Sequence, residues 1–114
     1  MYNTNDELKR MVDSIAQELK AIYNSELINE ETSEPMTFWD YFEDVLDLDY
    51  IIGSDCKTVR GVHLWVTLGG PNIRIDTFSG DVKGFWGSDR QEAWVPVEIC
   101  DEINDIFQEY FNCM

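Results

Sequence analysis

The hydrophobic period of this chain changes twice, and this change limits the folds that the chain can adopt. Apolar side chains recur at helical spacing through residues 5–23 and again through residues 96–111. Between them, residues 61–68 alternate apolar and polar side chains, which is the period of a strand with one buried face. Helices on both sides of a run of short strands predict an α+β fold, with a sheet whose apolar face is covered by helices.

The N-terminal segment predicts two helices separated by a loop. The first helix is expected over residues 5–23, and Thr4 and Glu7 have the spacing of a capping box. The polar and acidic residues 24–36 predict a loop. Thr37 is expected to cap a second, aromatic helix with Asp40 as its partner, and this helix is expected to end near Asp47.

The middle of the chain predicts about four antiparallel strands, followed by the C-terminal helix on one sheet face. The strands are expected over residues 50–57, 61–68, 72–77 and 81–86, which are close enough in sequence to form a meander. In the third of these segments, Ile73 and Ile75 should face the core, whereas Arg74 and Asp76 should face solvent. A chain of 114 residues with no long linker is expected to form one domain, 1–114.

The net charge of −15 follows the same division of the chain. Residues 1–49 hold 13 acidic against 3 basic residues, residues 50–94 hold 5 against 5, and residues 95–114 hold 5 against none. Direct binding to nucleic acid or to an anionic membrane is disfavoured, because both would repel this charge. The pattern favours a protein that meets a positively charged surface.

Placed on helical periods, the acidic residues form two candidate binding ridges. The first comprises the second helix and its exit, with Asp40, Glu43, Asp44, Asp47 and Asp49, of which residues 40, 44 and 47 are expected to align. The second lies on the last helix, with Glu98, Asp101, Glu102, Asp105 and Glu109. Carboxylates four residues apart lie about 6 Å apart along a helix, which is close to the spacing of phosphates on a nucleic-acid strand. Two alternatives stay open, a solvated acidic surface and carboxylates that bind a metal.

Trp65 and Phe85 are candidate anchors for a partner protein. Strand alternation places both on the sheet face opposite the core stripe, close to Arg74. Exposed aromatic rings beside arginine are common at the centres of protein interfaces. The alternative is that these rings pack against the first helix or against residues 24–36.

No motif of an enzyme, a metal site or a cofactor loop is present in the sequence. His63 has no nucleophile motif nearby and is expected to be structural or exposed. The run Gly69-Gly70-Pro71 lacks the glycine spacing of a phosphate loop and predicts a turn. The three cysteines, Cys56, Cys100 and Cys113, are widely spaced and are expected to be reduced thiols. We therefore expect no catalytic residue, no metal and no cofactor.

The sequence also predicts where the protein resides. It contains no apolar run near 18 residues, and its N-terminal residues do not have the form of a secretory signal. We expect a cytoplasmic protein. Its oligomeric state does not follow from the sequence.

Several segments resemble a group of small acidic proteins encoded by phages and conjugative elements of gut Firmicutes. The resemblance spans roughly residues 37–111, and its most specific part is Gly69-Gly70-Pro71-Asn72 followed by Asp76-Thr77. Other segments that contribute are Trp39-Asp40-Tyr41-Phe42, the run 49–55, the run 82–87 and Cys100-Asp101-Glu102-Ile103. The resemblance implies a class of role, because small acidic proteins of mobile elements are often inhibitors of host defence, similar to anti-CRISPR and antirestriction proteins, some of which imitate DNA.

The function expected from these features is that of a non-enzymatic inhibitor encoded by a mobile element. Its acidic helix faces would block the basic nucleic-acid-binding surface of a partner protein, and the RNA-guided nuclease of a type II CRISPR system is the expected example. One alternative is an immunity protein that neutralises a basic toxin nuclease. Another is a non-inhibitory accessory or scaffold protein of a conjugative element.

Overall fold

The structure is a computed structural model, and it describes residues 3–114. Its three α-helices are α1 (Thr4–Tyr23), α2 (Phe38–Tyr41) and α3 (Val97–Asn112), and a short 3-10 turn over Phe42–Asp44 follows α2. Its strands are β1 (Ile28–Asn29), β2 (Glu34–Pro35), β3 (Asp47–Ile52), β4 (Val59–Thr67), β5 (Asn72–Asp76), β6 (Asp81–Trp86) and β7 (Asp89–Trp94). The predicted α+β class is confirmed.

The main sheet is an antiparallel meander in which β3, β4, β5, β6 and β7 pair in chain order. It has five strands where the sequence predicted about four. The missed strand is β7, which pairs with β6 through a turn at Gly87, where φ is +61°. Only two of its six residues are apolar, so it lacks the alternating stripe that identified the other strands.

Helix α1 packs on one face of this sheet, over β6 and β7. Its buried stripe follows the predicted helical spacing and consists of Leu8, Val12, Ala16, Leu19 and Ile22. The close approach depends on Gly84 in β6. A Cβ atom at Gly84 would lie 2.7 Å from Leu8 Cδ1 and 2.8 Å from Val12 Cγ1. The missing side chain therefore makes room for the helix.

Helix α3 packs on the same face of the sheet and buries Ile99, Cys100, Ile103 and Phe107. Two side chains fix its rotation. Gln108 accepts the backbone N–H of Val59 at 2.7 Å and donates to the carbonyl of Lys57 at 2.9 Å. Asn104 accepts the hydroxyl proton of Thr77 at 2.6 Å. With these contacts made, the opposite side of α3 faces solvent.

Three predicted details of the N-terminal half are wrong. The α1 cap is Asn3, whose side chain accepts from the backbone N–H groups of Asn5 and Asp6, so Thr4 and Glu7 do not form a capping box. Residues 24–36 contain the β1–β2 hairpin. The second helix ends at Tyr41, because the chain must become extended by Val45 to pair with β4. The predicted capping box between Thr37 and Asp40 is confirmed.

The strand bounds also differ from the prediction. Strand β3 begins at Asp47 and ends at Ile52, so it starts and ends earlier than the predicted 50–57, and residues 53–58 form the turn into β4. Asp76 was expected to face solvent, yet only 3% of its surface is exposed. It lies on the outer side of the sheet, but neighbouring side chains cover it.

Candidate partner-binding surfaces

The outer side of α3 is a continuous acidic surface, which we call the α3 acidic face. Its five carboxylates are all exposed and belong to Glu98, Asp101, Glu102, Asp105 and Glu109. Helix α3 contains no lysine or arginine. Within residues 3–114, no ion pair involves any of these five groups. Their charge is therefore directed at solvent or at a partner.

The shorter acidic segment around α2 is held beside α3. Trp39 in α2 packs on Tyr110 in α3, with ring centroids 5.8 Å apart, and on Phe107 at 6.4 Å. Asp40 and Glu43 line the groove between these elements, and Asp44 is exposed next to them. Part of the first predicted ridge thus borders the second.

The carboxylate of Asp40 is positioned by the capping box. Its Oδ2 atom accepts the backbone N–H of Thr37 at 3.2 Å and lies 3.4 Å from the side-chain nitrogen of Asn29. Hydrogen bonds from the backbone and side chain of Thr37 lower the pKa of Asp40 below its usual value. Asp40 is therefore a fixed negative charge at neutral pH.

Asp47 and Asp49 do not belong to that surface. The predicted alignment of residues 40, 44 and 47 is wrong, because Asp47 lies in β3 and not in a helix. In the sheet, Asp47 is opposite Trp65 and Asp49 is opposite His63. Both carboxylates therefore lie on the sheet face that α1 and α3 do not cover.

We call that side the open face, defined by Trp65, Arg74, Lys83, Phe85 and Arg90. The guanidinium of Arg74 lies 5.4 Å from the ring centroid of Trp65 and 5.8 Å from that of Phe85, and the guanidinium of Arg90 lies 5.1 Å from that of Phe85. The expected proximity of these aromatics to Arg74 is present. Helix α1 packs on the opposite face, so the alternative that it covers them is excluded.

The two rings of the open face are half-buried, because the arginine side chains pack against them. This face also mixes charges of both signs. Asp47, Lys83 and Glu92 lie in the same cross-strand row as Trp65 and Arg74. The open face therefore lacks the single sign of charge that the α3 acidic face has.

Asp76 is the centre of a buried polar cluster on the open face. Its Oδ1 atom accepts the backbone N–H groups of Phe78 and Ser79, at 3.1 and 3.0 Å. Its Oδ2 atom lies 3.1 Å from Nε2 of His63 and 3.5 Å from both Arg74 Nη2 and Lys83 Nζ. Burial acts to raise the pKa of Asp76, but the hydrogen bonds from Ser79 and the nearby cationic groups outweigh it and lower that pKa.

Outside these two surfaces, the remaining candidates are metal ligands, cysteine thiols and membrane-spanning helices. Among residues 3–114, no group of three or more His, Cys, Asp and Glu side chains is placed to hold a metal ion. Cys100 is buried, and burial raises the pKa of its thiol to about 11, so it is protonated at neutral pH. Cys56 and Cys113 are exposed. No described helix has the length and apolar content needed to cross a membrane.

A scan against protein-family models, a search of curated proteins and a search of solved structures each gave no match to this chain.

The residue that the sequence analysis missed is Trp39, the aromatic residue that joins α2 to α3. Its position carries a signal that can be read from the sequence. Phe38 and Phe42 are four residues apart and are both buried, so a helix that buries them leaves Trp39 about 80° from the middle of the stripe that they form. Tyr110, its partner in α3, also keeps 48% of its surface exposed.

Proposed function

We propose that this protein is a non-enzymatic inhibitor from a mobile element that binds a basic nucleic-acid-binding protein. The α3 acidic face occupies the lysine and arginine residues that would otherwise hold phosphates. The observation that carries the proposal is that five exposed carboxylates share one helix with no cation. An ordinary soluble surface usually mixes both signs of charge.

The arrangement of charge suits a protein that imitates a nucleic-acid backbone. Glu98, Glu102, Asp105 and Glu109 follow one another at spacings of three and four residues. Such neighbours lie about 5 to 6 Å apart along the helix axis. Like charges at these spacings destabilise a helix. Binding to a basic partner would explain why the helix keeps carboxylates that destabilise it.

We assign to the interface only part of the residues that the sequence suggested. The proposed surface consists of the α3 acidic face together with Asp40, Glu43 and Asp44, which adjoin it through the contact between Trp39 and Tyr110. Asp47, Asp49, Trp65 and Phe85 lie on the open face and are not part of this surface. The proposed docking site is therefore on the helical side of the molecule.

The proposed target is the RNA-guided nuclease of a type II CRISPR system, since its nucleic-acid channel is strongly positive. This choice rests on the resemblance to small acidic proteins of mobile elements. The test measures capture of target DNA by the guide-loaded nuclease as this protein is added, over a series of salt concentrations. We expect inhibition that weakens as salt rises, because the contacts are electrostatic. Binding that leaves DNA capture unchanged contradicts the proposal.

A further inference from the structure

The groove between α2 and α3 has a volume of about 350 Å³ and an aromatic wall. Trp39, Phe42, Phe107 and Tyr110 all line it. Trp39 and Tyr110 remain accessible, with 54% and 48% of their surfaces exposed. The rings of this pair are tilted by 54° to each other, so they do not close the groove by stacking face to face. A partner side chain can therefore reach their surfaces.

The charged groups that line this groove are all negative. They are Asp40 and Glu43, and no lysine, arginine or histidine among residues 3–114 lines it. The Oδ2 atom of Asp40 is engaged by Thr37 and Asn29, while its Oδ1 atom has no hydrogen bond within residues 3–114. Glu43 is exposed, and no hydrogen bond or ion pair joins its side chain to the described part of the chain. Acceptor capacity is thus free beside an aromatic wall.

We propose that this groove binds the side chain of an arginine from the basic partner. A guanidinium group is planar, so it stacks on an aromatic ring while its edge donates hydrogen bonds to a carboxylate. The open face shows that this fold already uses such stacking, where Arg74 lies over Trp65. The groove offers rings and carboxylates, and no cationic side chain from the described part of the chain lines it, so it is complementary to an arginine supplied from outside.

Arginine fits the groove better than two other kinds of occupant. A purely apolar side chain would place Asp40 and Glu43 against a group that cannot hydrogen-bond them, which carries a desolvation cost. A lysine would satisfy the carboxylates as a point charge but would gain less from the rings, because its ammonium is strongly hydrated. An arginine side chain can stack on the rings and donate hydrogen bonds to the carboxylates at the same time. Its binding would fix the orientation of the α3 acidic face on the partner.

This inference rests on the proposed function for the source of the arginine, but its test needs no partner protein. The probe is N-acetyl-arginine amide, titrated to about 50 mM at constant ionic strength, a range that detects millimolar binding. Its matched control is N-acetyl-citrulline amide, which has nearly the same shape and no charge. The readout is the NMR signal of the Trp39 indole N–H, assigned with Trp39→Phe. The Trp94 indole serves as the internal reference, because it is 69% exposed and does not line the groove.

We expect a saturable shift of the Trp39 signal with the arginine probe and a much weaker one with citrulline. Glu43→Gln should weaken binding about two- to fivefold, as expected for one solvent-exposed ion pair. Glu30→Gln, which changes an exposed residue next to β1, should leave binding unchanged. Equal shifts with both probes, equal shifts at Trp39 and Trp94, unaltered binding in Glu43→Gln, or no shift at the highest probe concentration would each overturn the inference.

A second variant separates the inference from the proposed function. Tyr110→Leu removes one ring of the wall but leaves all carboxylates of the α3 acidic face in place. It should reduce the shift with the arginine probe, while its inhibition of DNA capture should keep its dependence on salt. If the probe does not bind but DNA capture is still blocked, the arginine site is wrong and the proposed function stands.

Discussion

His63, which is half-buried, contacts the buried Asp76 across adjacent strands, with His63 Nε2 3.1 Å from Asp76 Oδ2. The two residues are direct cross-strand partners in the pairing of β4 with β5. Arg74 and Lys83 approach the same carboxylate oxygen, so one buried anion lies among several potential cations. This cluster joins β4, β5 and β6 on the open face, which lies opposite the face on which α1 and α3 pack.

The first prediction concerns this buried carboxylate. Asp76→Asn keeps the shape of the side chain but removes the charge that the surrounding basic groups face. We expect the free energy of unfolding to fall by about 2 kcal/mol, because a buried charge network loses its central anion. Asp81→Asn is the control, since the Asp81 side chain is less buried than that of Asp76 and contacts Ser79 and Lys83. Urea denaturation compares the two variants, and equal losses would show that burial of Asp76 has no special importance.

A second prediction follows from the lowered pKa of Asp76. A carboxyl group with a lower pKa in the folded state stabilises the fold above its unfolded pKa of about 3.9, and this stabilisation is lost as pH falls through the folded pKa. The contribution of the Asp76 charge to the difference in unfolding free energy between the wild type and Asp76→Asn should therefore be present at about pH 5, where the carboxyl group is largely ionised in both states. It should shrink below about pH 4. A difference that stays constant down to pH 3 would contradict the assigned direction of the shift.

A third prediction concerns repulsion within the α3 acidic face. Asp105 has Asp101, Glu102 and Glu109 at helical spacings of three or four residues, so Asp105→Asn should raise the free energy of unfolding by up to about 1 kcal/mol at low salt. Glu98→Gln should bring little or no gain. Glu98 lies in the first turn, where a negative charge favours the helix dipole. Thermal unfolding at low and high salt measures both effects, and the gain at Asp105 should decrease at high salt.

A fourth prediction concerns the contact between α1 and the sheet. Gly84→Ala places a methyl group into the side chains of Leu8 and Val12, which should lower the free energy of unfolding by about 1 to 3 kcal/mol. Gly70→Ala is the control, because within residues 3–114 no atom beyond its two chain neighbours lies within 4 Å of its added Cβ. It should change stability by less than about 0.5 kcal/mol. Similar losses in both variants would mean that α1 does not pack closely on β6.

Much of the fold can be predicted from the sequence. In α1, α3 and the strands from β4 to β6, the spacing of apolar residues matches the face that is buried. Where the spacing of apolar residues does not match the buried face, the sequence predicts the wrong element or the wrong boundary. The aromatic run after Thr37 has helical spacing, but the chain from Asp47 onwards gains more by pairing with β4 than by extending a helix. Strand β7 is held mainly by its pairing with β6 and by the packing of α1. Its sequence has no alternating apolar pattern that would predict a strand.

Some parts of the candidate site can likewise be predicted from the sequence, and others cannot. The α3 acidic face follows from helical spacing alone, because its carboxylates and its core residues fall on opposite sides of one regular helix. The place of Asp47 and Asp49 depends on where α2 ends, so an error in that boundary moved both residues to the wrong surface. The groove beside Trp39 needs the relative position of α2 and α3, which is set by tertiary packing and not by either helix alone.

The central claim is that the α3 acidic face, and not total charge, blocks the nucleic-acid surface of the partner. The most direct test compares two variants with equal charge loss in the DNA-capture assay with the type II RNA-guided nuclease. One variant carries Glu98→Gln, Glu102→Gln and Asp105→Asn, and the other carries Glu30→Gln, Glu31→Gln and Glu34→Gln in the β1–β2 hairpin region. We predict that the α3 variant associates about tenfold more slowly at low salt and inhibits poorly, while the hairpin variant inhibits like the wild type. Equal inhibition by the two variants would contradict the claim.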